Sequence, residues 1–445
     1  MVKDTSMEDM PIAKLLLKLS PPVMLALLIQ SVYNIVDSYF IARYSAAGFT
    51  ALSVFFPVQL LMIALATGTG VGINILVSRI DGEGKTDTGA QCGIVKSGLF
   101  LGIVNYLVFA SLGLYAAKPF FEISSAQSAV RALGCEYANI VLLFSLPLFA
   151  EANCTKILQA RGNMSTPMFA QVAGALFNVA ADPVLIFGHF GFPELGMKGA
   201  AIATVAGQLI AMSITLAAVL RLYRLSGRIS FASCVKIYRA GFPSMVLQAL
   251  FTVYIIGLNL ILKLFTEDAV TVLGIYYKLQ TFYLIPIAGL EQVILPIISF
   301  NYGARDMKRV GETLADAMSF TCAVMFAATL LFMAAPDALM SAFSPNATVV
   351  SIGRHALRVI SVSFVPLGAF LIFVAYFQGI DMGRAAIAAT VLRQVALFVP
   401  LAWLLHFFGL EYVWYTFPAT EFLTVALCAI LYLRRGKAAR SGKTR

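Results

Sequence analysis

The second half of this chain repeats the first at a nearly constant offset, so whatever the first half folds into, the second must build again. Pairing Pro22 with Pro243 sets the offset at 221 residues. Without a gap, the same step pairs Tyr33 with Tyr254, Gln59 with Gln280, Gly68 with Gly289, Ser78 with Ser299 and Gly82 with Gly303. Further along the offset becomes 219, where Pro147 meets Pro366 and Gln159 meets Gln378. The symmetry fails at two acids. Asp37 pairs with Leu258 and Asp182 with Leu401, so a duplicated scaffold carries a chemistry that is not duplicated.

Composition says what kind of scaffold it is. Hydrophobic residues make up 60% of the 445 and charged residues only 12%, whereas soluble domains run to about 25% charged. The mean hydropathy is +0.86. Apolar stretches recur along the whole chain at the length of about 20 residues that crosses a hydrocarbon core as helix. They are expected near 13–42, 51–78, 92–117, 133–156, 166–188, 197–221, 241–263, 270–297, 313–335, 352–377, 385–408 and 413–433. The expected fold is an all-α integral membrane protein with twelve transmembrane helices in two pseudo-symmetric six-helix bundles. Internal repeats of this kind are common in transporter folds. The first bundle is expected over 1–221, a basic cytoplasmic linker over 222–240, and the second bundle with a basic tail over 241–445.

Lys and Arg are retained on the cytoplasmic side of short loops. The even-numbered loops hold Arg79 and Lys85, then Lys156 and Arg161, then Arg221, Arg224, Arg228, Lys236 and Arg239, then Arg305, Lys308 and Arg309, then Arg384. The tail adds Arg434, Arg435, Lys437, Arg440, Lys443 and Arg445. Both termini are therefore expected in the cytoplasm of a cell (plasma) membrane protein. The formal charge of +10 is accounted for by this topology and needs no nucleic acid partner. The first dozen residues, with Asp4, Glu8 and Asp9, lack the basic start of a signal peptide. Six cysteines without paired spacing predict neither a disulfide nor a soft-metal site.

Chemistry concentrates in two spans. In the first, Gln30, Tyr33, Asn34 and Asp37 fall at i, i+3, i+4 and i+7, one helix face carrying four polar groups through an apolar layer. A charge in the bilayer costs about 2.5–3.5 kcal/mol on insertion scales, so such a stripe should face protein or water and mark a function. The alternative is a hydrogen-bonded network that only fixes helix packing. The fifth span adds Asn178 and Asp182 at i and i+4, followed by Pro183, which releases the carbonyl near position 179. Two carboxylates, amide oxygens and a free carbonyl suit a hard cation such as sodium, with Asp37, Asn178 and Asp182 as its ligands. They equally suit one proton shared by the acids. Glu151, Lys156, Lys278, Arg393 and Glu421 are further charges in or near spans, and Glu291 in the eighth span is a candidate substrate contact. Pro21 and Pro22 lie where a bend of the first span would swing Asp37.

These segments resemble the multidrug and toxic compound extrusion family, most closely its DinF-like and MepA-like bacterial members. The resemblance is carried by QSVYNIVDSYFIARY at 30–44, GTGVGINILVSRIDGEG at 68–84, QARGNMSTPMFAQVAGALFNVAADPVLIFG at 159–188, LGMKGAAIATVAGQ at 195–208 and GLEQVILPIISFNYGARDMKRV at 289–310. It implies a cation-coupled efflux antiporter, using a proton or sodium ion, that exports small organic cations by alternating access. In that pattern Asp37, Asn178, Asp182 and Thr204 form the coupling site. Gln30, Tyr33 and Asn153 face the substrate cavity, and Pro22 is the bend of the first helix. Members with a second cation site carry acids in the seventh and tenth helices. Here the seventh has Asn259 and no acid before Glu267, and the tenth has none, so that second site is not expected. The alternative is a flippase for lipids or lipid-linked oligosaccharides, which would favour an arginine-rich cavity for pyrophosphate. No enzyme is expected, since the chain lacks histidine or metal motifs beside the aspartates. No cofactor beyond the coupling ion is expected, and the protein is taken as a monomer among membrane lipids.

Overall fold

The computed structural model describes residues 10–85, 89–223 and 228–440, the side chains of 435–440 excepted. Asp4, Glu8, Asp9, Arg224, Lys443 and Arg445, which enter the topology argument, lie outside the described residues. Among the described residues the secondary structure is helical, without strands. Among these residues ten helices are long and apolar enough to cross a membrane, and two bent helix pairs, each counted as one span, bring the number to twelve.

The spans follow the expected order: Ile12–Tyr44, Ala46–Gly82, Gly89–Tyr115, Ser128–Leu143 with Leu146–Ala160, Ser165–Phe187 and Met197–Leu222 in the first half. Phe231–Lys263, Glu267–Gly303, Met307–Ala334, Ala347–Ser361 with Phe364–Gly379, Gly383–His406 and Leu410–Arg434 make up the second. The fourth and tenth spans break at related places and bend by 47° and 48°. Proline explains the recurrence. It has no amide hydrogen and its ring collides with the carbonyl four residues back, which is Leu143 for Pro147 and Val362 for Pro366. The helices stop at Leu143 and Ser361. Hydroxyls close the gaps, Ser145 donating to the Leu142 carbonyl at 2.9 Å and Ser363 to the Ile360 carbonyl at 2.6 Å.

One departure from the sequence reading concerns the seventh span. The stretch expected as a linker over 222–240 is helical from Phe231 onward, forming one helix with the seventh span. The first span runs as a single helix through Pro21 and Pro22.

Packing divides the chain into two compact units. One comprises Met1–Met245 with Ser299–Asp306, the other Val246–Ile298 with Met307–Arg445. The start of the seventh span belongs to the first unit because its backbone lies directly against the second span. A side chain on Gly72 would overlap the Ile237 carbonyl, and one on Gly241 the Gly68 carbonyl. Tyr238 fastens the same crossing, its hydroxyl donating to Asn105 Oδ1 at 2.6 Å while Asn105 Nδ2 donates to Thr69 Oγ1 at 3.1 Å. The first unit packs around Phe55, Phe121, Tyr137 and Phe149 and around Ile73, Val95 and Ile157. The second packs around Tyr254, Tyr276, Phe364 and Trp414.

Because each of these crossings leaves no room for a methyl group, Gly72→Ala and Gly241→Ala should each destabilise the fold by about 1–3 kcal/mol, the usual cost of overpacking. Thermal unfolding of the purified variants in detergent will show this as a lowered midpoint.

Candidate functional site

The first and fifth spans pack along each other, and this brings the two unduplicated acids together. The carboxyl groups of Asp37 and Asp182 lie within hydrogen-bonding reach of each other. Asp182 is 0% exposed, and Asn178 Nδ2 donates to its Oδ1 at 3.4 Å. Asp37 Oδ1, Asp182 Oδ2 and Asn178 Oδ1 are all buried without a hydrogen-bond partner. Two carboxyls in contact require a proton or a cation between them, because two bare carboxylates repel. The neighbouring oxygens suit either occupant: an acceptor set with few donors is the chemistry of a small hard cation, and a shared proton would satisfy the same pair.

Thr204, on the sixth span, neighbours a residue that sequence reasoning missed. The Tyr137 hydroxyl lies within hydrogen-bonding reach of Thr204 and accepts from Gln59 Nε2 at 3.5 Å. Tyr137 is buried, its ring edge-on to Phe55 at 5.9 Å. Gln59 appeared in the sequence only as one of the repeated positions. Nothing local in the sequence marks Tyr137, which is one aromatic residue in an apolar span.

Beside the acid pair lies a cavity of about 100 Å³ whose lining includes Gln30, Tyr33, Glu151, Gln171, Asn178 and Thr204. Gly174 and Gly207 set its floor by letting the fifth and sixth spans touch through backbone. A side-chain carbon on Gly174 would sit 2.6 Å from the Gly207 carbonyl, and one on Gly207 2.7 Å from that of Gly174. Asp37 and Asp182 do not line this cavity; Asn178, which does, donates to Asp182, and Tyr33, also on its wall, lies one helical turn before Asp37 in the first span. Its carboxylate is Glu151, held by Thr155, whose hydroxyl donates to Oε1 at 2.6 Å. In the sequence Glu151 was one charge among several with no assigned role.

Other candidates fall elsewhere. Asn34 is exposed and is not among the residues that line this cavity. Asn153 is buried, donates to the Gly98 carbonyl at 2.9 Å and does not line the cavity. Pro22 borders a separate cavity with Lys18 and Arg161. Glu291 is half-buried in the second unit and is not among the residues lining the cavity formed there by Gln248, Arg393 and their neighbours.

The model of the MatE family matches residues 22–184 and again 243–404, once in each half of the repeat. The chain belongs to the multidrug and toxic compound extrusion family. Among its relatives, a FAD transporter of Shewanella oneidensis is 24% identical over 95% of both chains. The multidrug export protein MepA of Staphylococcus aureus is 24% identical over 97% of this chain and 96% of its own. A MOP superfamily transporter from Pyrococcus furiosus has the same fold, with a TM-score of 0.89 at 22% identity and 99% of both chains covered. The MATE fold of two lobes and twelve helices thus accounts for the duplication read from the sequence.

Tyr137→Phe removes one hydroxyl from the Gln59–Tyr137–Thr204 chain and leaves the ring packing intact. It should cost about 0.5–1.5 kcal/mol, the net value of an ordinary hydrogen bond, read as a small drop in the unfolding midpoint.

Proposed function

We propose that this MATE protein is a multidrug efflux antiporter, driven by inward flow of protons or sodium ions, that exports small organic cations by alternating access. The observation that carries the reading is the buried Asp37–Asp182 pair, set beside a cavity that has its own carboxylate. The pair is the coupling site, with Asn178 as its neighbour and Thr204 completing it. Where sodium is the ion, Asp37, Asn178 and Asp182 hold it. Gln30, Tyr33 and Glu151 meet the drug, and Pro22 is the place where the first span bends during the cycle. Both termini lie in the cytoplasm.

Coupling requires ion and drug to favour different states, since a ligand with equal affinity for both shifts nothing. With Glu151 in the cavity and the acid pair outside it, ion and drug need not contend for one carboxylate. They communicate through Asn178, which lines the cavity and donates to Asp182, and through the first span, where Tyr33 on the cavity wall lies one helical turn before Asp37. One charge moving down about 100 mV supplies about 2.3 kcal/mol, and one pH unit about 1.4 kcal/mol. For a neutral drug the voltage term alone sustains a gradient of about fifty-fold, whereas for a monovalent cation exchanged for one proton the voltage term cancels and one pH unit sustains about tenfold. The flippase alternative is less well supported in this unit, whose cavity presents an acid rather than the arginines that pyrophosphate requires.

Ethidium efflux from proteoliposomes, under separately imposed proton and sodium gradients, tests the reading. Efflux should follow one of the gradients and fall to background in Asp37→Asn; transport that persists in this variant, or that follows neither gradient, would overturn antiport. Glu151→Gln keeps the Thr155 hydrogen bond and removes the cavity's charge, so ethidium affinity should fall about tenfold, a loss of roughly 1.4 kcal/mol, while coupling to the ion is retained.

A further inference from the structure

The repeat that built the first cavity has built a second. In the second unit a cavity of about 190 Å³ is lined by Phe251, Tyr254, Leu367, Arg393 and Gln394, among others. These are the repeat partners, at offsets of 221 and 219, of Gln30, Tyr33, Leu148, Gly174 and Ala175 in the first cavity. Its polarity is opposite. The position of Glu151 is taken by Phe370, and where the first copy has Gly174 the second places a guanidinium.

Arg393 is 4% exposed and bound to Glu421 of the twelfth span, which is 1% exposed. Nε donates to both carboxylate oxygens at 2.9 and 3.0 Å, and Nη2 to Oε1 at 2.6 Å. Nη1 takes no part in these bonds. The guanidinium lies 5.1 Å from the Phe370 ring centre and 5.2 Å from that of Phe398, so aromatic faces hold its plane. Arg393, and not Glu421, is on the cavity wall. Replacing a buried ion pair by apolar residues is often neutral or stabilising, so packing alone gives no reason for a charge here. The backbone is also irregular at this point: Leu392–Leu397 forms a π-helical turn that contains both Arg393 and Gln394, a local widening common at functional sites. Gln394 is 1% exposed and its Oε1 has no hydrogen-bond partner. Gln248 and Gln280 complete a wall of amides, with leucines beside them.

We infer that this second cavity binds the carboxylate or phosphate group of an amphipathic organic anion, with Arg393 as the charge that recognises it and Glu421 holding the guanidinium in place when the site is empty of ligand. The amides orient the polar group, and Leu247, Leu284 and Leu371 accept the apolar remainder. The protein would then handle anionic or zwitterionic molecules as well as cations, each through the cavity of matching polarity. This goes beyond the efflux reading, which rests on the first unit alone.

Fluorescein binding to the full-length protein in phosphatidylcholine nanodiscs, followed by fluorescence polarisation, tests it, with ethidium efflux as the control for folding and for the first cavity. Wild type should bind fluorescein. The neutral pair Arg393→Gln with Glu421→Gln should weaken that binding about tenfold or more, a factor that corresponds to about 1.4 kcal/mol, with ethidium efflux unchanged. Glu421→Gln alone should strengthen it, because the arginine then lacks its internal counter-charge; a purely structural pair would not move the two variants in opposite directions. Displacement of fluorescein when phosphatidylglycerol is added would support the same anion site and identify a lipid phosphate as its source. No binding by wild type, unchanged binding in the double variant, or equal weakening in both variants would overturn the inference.

Discussion

A carboxylic acid placed between apolar helices must find a partner, and the contact between Asp37 and Asp182 is the constraint around which the first unit is arranged. It requires one face of the first span to meet one face of the fifth. The fifth in turn lies so close to the sixth that only glycines fit at the crossing of Gly174 and Gly207. That crossing brings Thr204 toward the acid pair, and Tyr137 joins it from the fourth span. Four spans are thus fixed by a small set of polar contacts and a backbone crossing, in surroundings where the apolar side chains provide packing but little direction.

Duplication explains why the second unit repeats this architecture without its chemistry. The proline-determined breaks of the fourth and tenth spans recur because they depend on backbone sterics, which both copies share. The cavities recur for the same reason. Their charges do not, since a side chain can change without disturbing a helix whose hydrogen bonds are internal. The first copy carries acids and the second an arginine held by a glutamate.

Much of the fold was legible because a membrane leaves few options. Runs of apolar residues about 20 long specify helices, and the number and order of the spans follow from them. Their ends were less legible: the seventh helix extends back to Phe231 through residues whose basic charge suggested a linker. Charge marks which side of the membrane a segment faces, not where its helix starts. Helical spacing also placed Asn34 on the same stripe as Asp37, and of the two Asn34 is the more exposed. A helix face spans an arc, and the neighbours decide which part of it is covered.

The sequence by itself determined that this is a duplicated, helical membrane protein with unpaired acids in its first and fifth spans, because hydropathy, periodicity and repeat offset are properties of the chain alone. Family resemblance added Thr204 to those acids. Only the tertiary structure decided that the acids touch while lying outside the cavity, that Glu151 faces the cavity and Asn153 does not, and that Arg393 and Glu421, 28 residues apart, form one buried pair. These are contacts between spans distant in sequence. Helical periodicity orders side chains around a single axis, whereas the rotation of each helix about that axis is set by the helices packed against it.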